Sequence, residues 1–319
     1  MRAARVIPLI LFVLLLLFPA PCALAEDYPS HPVTLIVPYP PGGGVDTIAR
    51  VMSAKLSAAL GQQIVIENRP GAGAVIGTRA AAKASADGYT LVMLATGFTL
   101  PSNTGYDAKD FAPIGTISST PIVVMAHPSL PVNSLADLIA LAKKEPGKLG
   151  VGTPPPPTLN YFAIELMKAM AGIDLTIVTY KGTGPLTNDL LGGHVPLAFN
   201  TTAPALGNIQ AGKIRAIAVA APKRSAALPD VPTAAEAGLP GFEAVLYYGI
   251  AAPAGTPQPI IERINSEMRA IITSDEISRR IVSDGGDPAP MTANEYAAMI
   301  ERDEAKWADL IKKLGLVIN

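Results

Sequence analysis

Two glycine-rich turns constrain this chain more than any other feature. Each follows a β-rich run and each opens a segment of helical period. Val33-Thr34-Leu35-Ile36-Val37 reads as a buried strand, broken by Pro38-Tyr39-Pro40-Pro41-Gly42-Gly43-Gly44. From about Val45 to Leu60, Ile48, Val51, Met52, Leu56 and Leu60 fall on one helical face, and Gly61 stops the helix. Gln63 to Glu67 is a second strand and Asn68-Arg69-Pro70-Gly71-Ala72-Gly73 a second turn. A small-residue helix over Ala74–Ala84 and a third strand, Thr90–Ala95, follow. Such alternation predicts an α/β fold of mostly parallel sheets with flanking helices.

After a change of register near Thr116–His127 the alternation resumes. Ser134 is placed to cap a helix over Leu135–Lys144. Leu149–Gly152, Leu175–Tyr180, Leu197–Asn200 and Ile214–Ala220 read as strands, and Thr158–Ala171 as a helix. A loop rich in Pro, Ala and charge covers Ala221–Gly241. Ala244–Ala252 is apolar again, and Pro253-Ala254-Gly255-Thr256-Pro257 introduces a helix ending near Thr273. The last helix, Ala293–Leu314, puts Tyr296, Ile300, Trp307, Leu310, Ile311 and Leu314 on one face, a core stripe. Pro154-Pro155-Pro156-Pro157 has no amide hydrogen to donate and predicts a stiff, extended edge.

Arg2 and Arg5 precede an apolar run, Val6 to Phe18, and Ala23-Leu24-Ala25 supplies a small-residue cleavage site. The run is about 13 residues, short of the roughly 20 a membrane span needs. It reads as a secretory signal peptide cut after Ala25, and hence as a periplasmic address. Cys22 is the only cysteine, which excludes a disulfide scaffold and a cysteine-rich metal site. Pro21 before it fits lipid anchoring poorly. A chain 49% hydrophobic and 16% charged is not disordered, and a net charge of −1 leaves no basic surplus for nucleic acid. At 319 residues it suits two domains.

The chemistry points to the turns. Free N–H groups at a helix start, together with the macrodipole, attract an anion without any cationic side chain. Two such turns on adjacent strands converge at the carboxyl edge of the sheet, where open α/β folds bind ligands. The ordinary alternative is a pair of plain βα connections. Gly71-Ala72-Gly73-Ala74-Val75-Ile76-Gly77 spaces as G-x-G-x-x-x-G, which is not the dinucleotide fingerprint, and no P-loop occurs. There is no G-x-S-x-G elbow, and His31, His127 and His194 lack metal-ligand spacing, so no cofactor, metal or catalytic set is expected. Asp46, in the first turn of its helix, is a cap, an organiser of the Gly42–Gly44 turn, or a ligand contact. Lys181, after Tyr180, is a ligand contact or a solvated loop lysine.

The run Pro32 to Asp46 resembles the start of the Bug-type (TctC-like) solute-binding proteins of tripartite tricarboxylate transporters. Five further segments are similar to that family, in order: Glu67 to Gly73, Asp87 to Leu91, Tyr180 to Gly182, Leu190 to Gly193 and Ala252 to Pro257. Lys306-Trp307 also fits. The resemblance implies a two-domain, type II-like periplasmic binding protein with an interdomain cleft. Domain 1 would be 26–124 plus 247–319 and domain 2 would be 125–246, after a signal peptide at 1–25. It implies a monomer that binds a small carboxylate and serves membrane transporter subunits, with no catalysis. Carried over, the first-domain contacts are Tyr39, Pro41, Gly42, Gly43, Asp46, Gly71, Ala72 and Gly73, with Thr96 after the third strand.

The second domain departs from the family pattern. Members usually have a Gly/Ser-rich turn and a His where this chain has Thr153-Pro154-Pro155-Pro156-Pro157-Thr158-Leu159-Asn160. Thr153, Thr158 and Asn160 are the polar candidates left there. A common Phe-Asp pair is Phe199-Asn200, and a Trp-Tyr pair near the hinge is Tyr247-Tyr248, of which Tyr248 is the candidate. A drier, less charged side suits a monocarboxylate or aromatic acid better than citrate. A ligand-sensing subunit of a membrane signalling system would share this fold and cleft, whereas a secreted carboxylate ester or amide hydrolase would need a nucleophile with a base, or a metal, and the sequence offers neither.

Overall fold

The computed structural model describes residues 28–42, 44–72, 74–95, 105–156 and 158–315. The expected signal segment 1–25, Gly43, Gly73, Thr96 and Pro157 lie outside the described residues. Strand β1 (Val33–Val37) runs parallel to β2 (Ile64–Asn68) on one side and to β3 (Thr90–Ala95) on the other. Helices cover both faces of this unit, which is why β1 is apolar almost throughout. Helix α1 (Gly44–Leu60) buries Ala49, Met52, Leu56 and Leu60, spaced three or four residues apart on one stripe. Helix α2 (Val75–Ala82) packs Ala81 with Ile36, Val92 and Leu94 on the opposite face. Gly77 explains the glycine spacing: a Cβ there would stand 2.6 Å from the Arg69 carbonyl oxygen and 2.8 Å from Pro38 Cβ. Only glycine lets α2 approach both turns so closely.

The second half repeats the unit. Helix α3 (Leu135–Lys144) leads into β5 (Gly150–Thr153), α4 (Leu159–Ala171), β6 (Thr176–Thr179), α5 (Thr183–Leu191) and β7 (Leu197–Thr201). Strand β5 is parallel to β6 and β7. Ser134 caps α3 as expected, its Oγ accepting the Asp137 N–H at 3.1 Å. Short α6 (Leu206–Gln210) and β8 (Arg215–Val219) follow. Helix α5 escapes the sequence reading because Gly184 and Pro185 look like a turn, yet proline is tolerated in a first helical turn.

Two long strands join the halves. In β4 (Phe111–Ala126) the segment Phe111–Pro121 pairs antiparallel with β9 (Val245–Pro253), and Ile122–Ala126 pairs with β7. Strand β9 lies between β4 and β3. The pairing changes beside Ile122, whose N–H donates to the Ala244 carbonyl at 2.9 Å, while Ala244 N–H donates to Ala220 at 2.8 Å. The expected α/β architecture is thus present in both halves, and β4 and β9 add antiparallel pairings that alternation alone does not announce.

Helix α7 (Gln258–Ile272), α8 (Asp275–Ser283), the two-residue β10 (Asp287–Pro288) and α9 (Ala293–Leu314) return to the first half. The stripe on α9 serves two cores. Tyr296 and Ile300 pack with Tyr247 and Met291, whereas Trp307 and Leu310 enter the core of the second half beside Phe162, 6.0 Å between ring centroids. Leu314 departs from the expected stripe and is exposed, one turn past the last core contact. No helix among the described residues is long and apolar enough to cross a membrane.

Candidate functional site

Because β1 and β2 are parallel neighbours, the turns after them lie at the same edge of the sheet. Side chains tie the turns together. Asp46, only 2% exposed, receives Gly42 N–H at 2.9 Å and Arg50 Nε–H at 2.8 Å on Oδ2. Its Oδ1 accepts from Arg50 Nη2 at 3.1 Å and from Asn68 Nδ2 at 2.8 Å. Asn68 Nδ2 also donates to the Tyr39 carbonyl at 3.1 Å, and its Oδ1 accepts from Arg50 at 3.2 Å. Hydrogen bonding from Arg50 is the main cause that draws the Asp46 carboxyl down to about 2, aided by Gly42 and Asn68 against the opposing effect of burial.

This geometry bears on two candidate residues. Asp46 has its acceptor capacity filled from within, in line with the reading of it as the organiser of the turn. Gly42 likewise spends its amide on Asp46 and does not offer it to an anion. Asn68 and Arg50, which sequence reasoning did not single out, are the residues that tie this network together. The i, i+4 spacing of Asp46 and Arg50 was the readable signal for one of them. The second turn is unusual in its backbone: Gly71, Ala72 and Ala74 all have positive φ, at 133°, 47° and 80°. Left-handed alanine costs about 1 kcal/mol or more per residue, so tertiary contacts hold this turn in shape.

The facing residues of the second half turn inward. Thr153 is fully buried and donates to the Pro154 carbonyl at 3.1 Å. Thr158 donates to the same carbonyl at 3.3 Å and caps α4 by accepting Tyr161 N–H. Asn160 donates to the Phe199 carbonyl at 3.1 Å. Asn200 donates to Thr187 Oγ1 at 3.2 Å and accepts the Thr201 N–H. In this structure these four candidate contacts also cap α4 and join α4 and α5 to β7. Lys181 is exposed after β6.

A model described as "Tripartite tricarboxylate transporter family receptor" matches residues 48–316. The chain belongs to this family. Protein BugT of Bordetella pertussis is 35% identical over 298 residues, 91% of each chain. Among solved structures, an R. palustris protein with adipate is 36% identical over 91% of this chain and 99% of its own, with a TM-score of 0.76. MatC from Rhodopseudomonas palustris with bound malate is 29% identical over 89% of this chain and 100% of its own, with a TM-score of 0.71. The family is one of periplasmic solute-binding receptors, not of enzymes, and the TctC-like resemblance and the α/β architecture of mostly parallel sheets with flanking helices read from the sequence hold.

In this receptor-family chain a cavity of about 610 Å³ opens beside α1, between the two halves. Thr47, Ile48 and Tyr248 line it from the first half, Thr201 and Leu206 from the second, and Ser118 and Thr120 from β4. Neighbouring tyrosines therefore face opposite ways: Tyr248 lines this cavity, and Tyr247 faces α9 near Asp303 and Lys306. Burial pushes the Tyr248 hydroxyl up to about 12 and raises that of Tyr39 as well, with Tyr248 and Tyr106 adding to the rise at Tyr39. Both stay neutral, as hydrogen-bonding groups rather than charges. Among the described residues no three His, Cys, Asp or Glu side chains converge as a metal site would need.

Proposed function

We propose that this chain is a periplasmic receptor that binds a small carboxylate between its two halves and delivers it to a tripartite tricarboxylate-type membrane transporter. The carrying observation is the pair of turns that open α1 and α2 at one sheet edge and are locked together through Asp46 and Asn68. Paired helix N-termini favour a carboxylate by dipole and by amide donors. The contacts on this side are Tyr39, Pro41, Gly43, Gly71, Ala72, Gly73 and Thr96, with Tyr248 at the hinge and Lys181 approaching from the second half. The halves act as two domains that close over the ligand, so the ligand has to bind the closed form more tightly.

The second half bears on ligand class. Pro154–Pro156 present no amide donors, and Thr153, Thr158, Asn160 and Asn200 are engaged internally. A ligand with one carboxylate and an apolar or aromatic body suits that face. Relatives solved with adipate and malate support the carboxylate class in general.

Thermal unfolding against adipate, malate, citrate, benzoate and nicotinate, with the matching amides, tests this. Ligand at about 100 times its Kd adds roughly 2.7 kcal/mol, a shift on the order of 5 °C for a chain of this size. Benzoate or nicotinate is expected to shift the midpoint more than citrate does, and no amide is expected to shift it. Equal shifts with acids and amides overturn the carboxylate reading, and a larger shift with citrate overturns the monocarboxylate preference.

A further inference from the structure

A buried carboxylate in the first turn of a helix works against an anion bound at that same helix end. Like charges at such a distance repel, and the low-dielectric surroundings enlarge the effect. Asp46 is such a carboxylate, 2% exposed, in the first turn of α1. The helix dipole and the Gly42 amide favour a carboxylate at this position, and Arg50 balances its charge through both Nε and Nη2, at 2.8 and 3.1 Å. A surface ion pair is ordinarily worth little. This one differs because one partner is buried and because the same guanidinium also reaches Asn68 Oδ1 at 3.2 Å. Asn68 stands at the end of β2, and its one amide group bridges the Tyr39 carbonyl and Asp46. The four groups therefore connect the turn after β1 to the turn after β2.

We infer that Arg50 and Asn68 are positioning residues for the ligand: Arg50 discharges Asp46, and Asn68 ties the Tyr39–Gly42 turn to the turn that begins at Arg69, so that two separate turns act as one anion receptor. The inference rests on the carboxylate-receptor reading above. Neither residue needs to touch the ligand. Arg50 acts through charge, so another cation in its place serves. Asn68 acts through geometry, because it donates two hydrogens to two acceptors on the neighbouring turn.

Two measurements on the full chain separate these roles from plain stabilisation. The first is calorimetric titration with adipate and with benzoate. Arg50→Met is expected to weaken acid binding about tenfold by leaving Asp46 uncompensated. Arg50→Lys is expected to stay within about threefold of the parent chain, since the charge is kept. Asp46→Asn added to Arg50→Met is expected to recover most of the loss. A double variant weaker than Arg50→Met alone overturns the charge role, because a purely structural contact cannot be repaired by removing its partner. The second measurement is amide hydrogen exchange without ligand. Asn68→Ala is expected to raise exchange in the 38–47 segment about tenfold, with the 135–144 helix unchanged. Unchanged exchange in 38–47 overturns the tie between the turns. If neither acid binds the parent chain, the carboxylate-receptor reading fails for these probes, while the exchange result still decides whether Asn68 couples the turns.

Discussion

Helix α2 of the first half and α4 of the second meet the same local problem, a strand that turns into a helix, and resolve it in opposite ways. In the first half the turn before α2 carries Gly71, Ala72 and Ala74 at positive φ, and no side chain caps that helix. In the second half Thr158 fills the N-terminus of α4 with its own hydroxyl, behind a run of prolines. A capping side chain and an anionic ligand compete for the same amide donors. A helix N-terminus is thus a receptor only where the chain leaves it uncapped. The contrast is between α2 and α4, since α5, also in the second half, opens at Gly182 with no side-chain cap.

Four substitutions test this contrast, from the largest expected effect down. Gly77→Val forces side-chain carbons into the space held by the Arg69 carbonyl and Pro38. It is expected to cost about 3 kcal/mol, read as a fall in Tm and loss of acid binding. A midpoint unchanged from the parent chain would show that α2 does not need its close approach to the turns.

Asp46→Asn removes a buried, charge-assisted set of bonds and is expected to cost about 2 kcal/mol at neutral pH. The folded carboxyl lies below its unfolded value, at about 2, so its stabilisation is present above pH 4 or so and fades as pH falls toward 2. Chemical unfolding from pH 7 down to pH 2 is expected to show the parent and variant converging only at the acid end. A gap that stays constant with pH would mean that the carboxylate charge is not what stabilises the turn.

Pro156→Gly gives the exposed second-half turn an amide donor. It is expected to raise affinity for adipate relative to benzoate by about fivefold, the worth of one added hydrogen bond to a charged group. Titration with both acids checks it, and an unchanged ratio would separate ligand class from the proline run. The smallest effect is expected at Ala74→Gly. Releasing a left-handed alanine is partly offset by the freer unfolded chain, leaving a gain of about 0.5 kcal/mol. A midpoint about 1 °C higher is the expected reading, and a lower one would show that the alanine side chain packs usefully there.

Much of the fold is legible along the chain. The five residues of β1, the helix capped by Ser134 and the long α9 appear where their patterns put them. Strand β4 does not, because Pro113, Gly115 and Pro121 punctuate it like a loop. In the folded chain those residues sit at register shifts beside β9 and at the change of partner strand. At the site, the turns are readable but their internal bonding is not. Asp46 reads as a cap, an organiser of its turn or a ligand contact until Gly42 and Asn68, the latter from another strand, are seen to satisfy it. Asn200 looks like a cleft residue until Thr187 of α5 accepts its amide.

By itself the sequence determined the two glycine-rich turns and where most of the helices begin, because backbone sterics and proline's missing amide are properties of a few neighbouring residues. Only the tertiary structure decided which polar groups remain free to meet a ligand. That depends on partners such as Asp46 and Asn68, or Asn160 and the Phe199 carbonyl, which lie far apart in sequence and meet only when the sheet brings their strands and helices together.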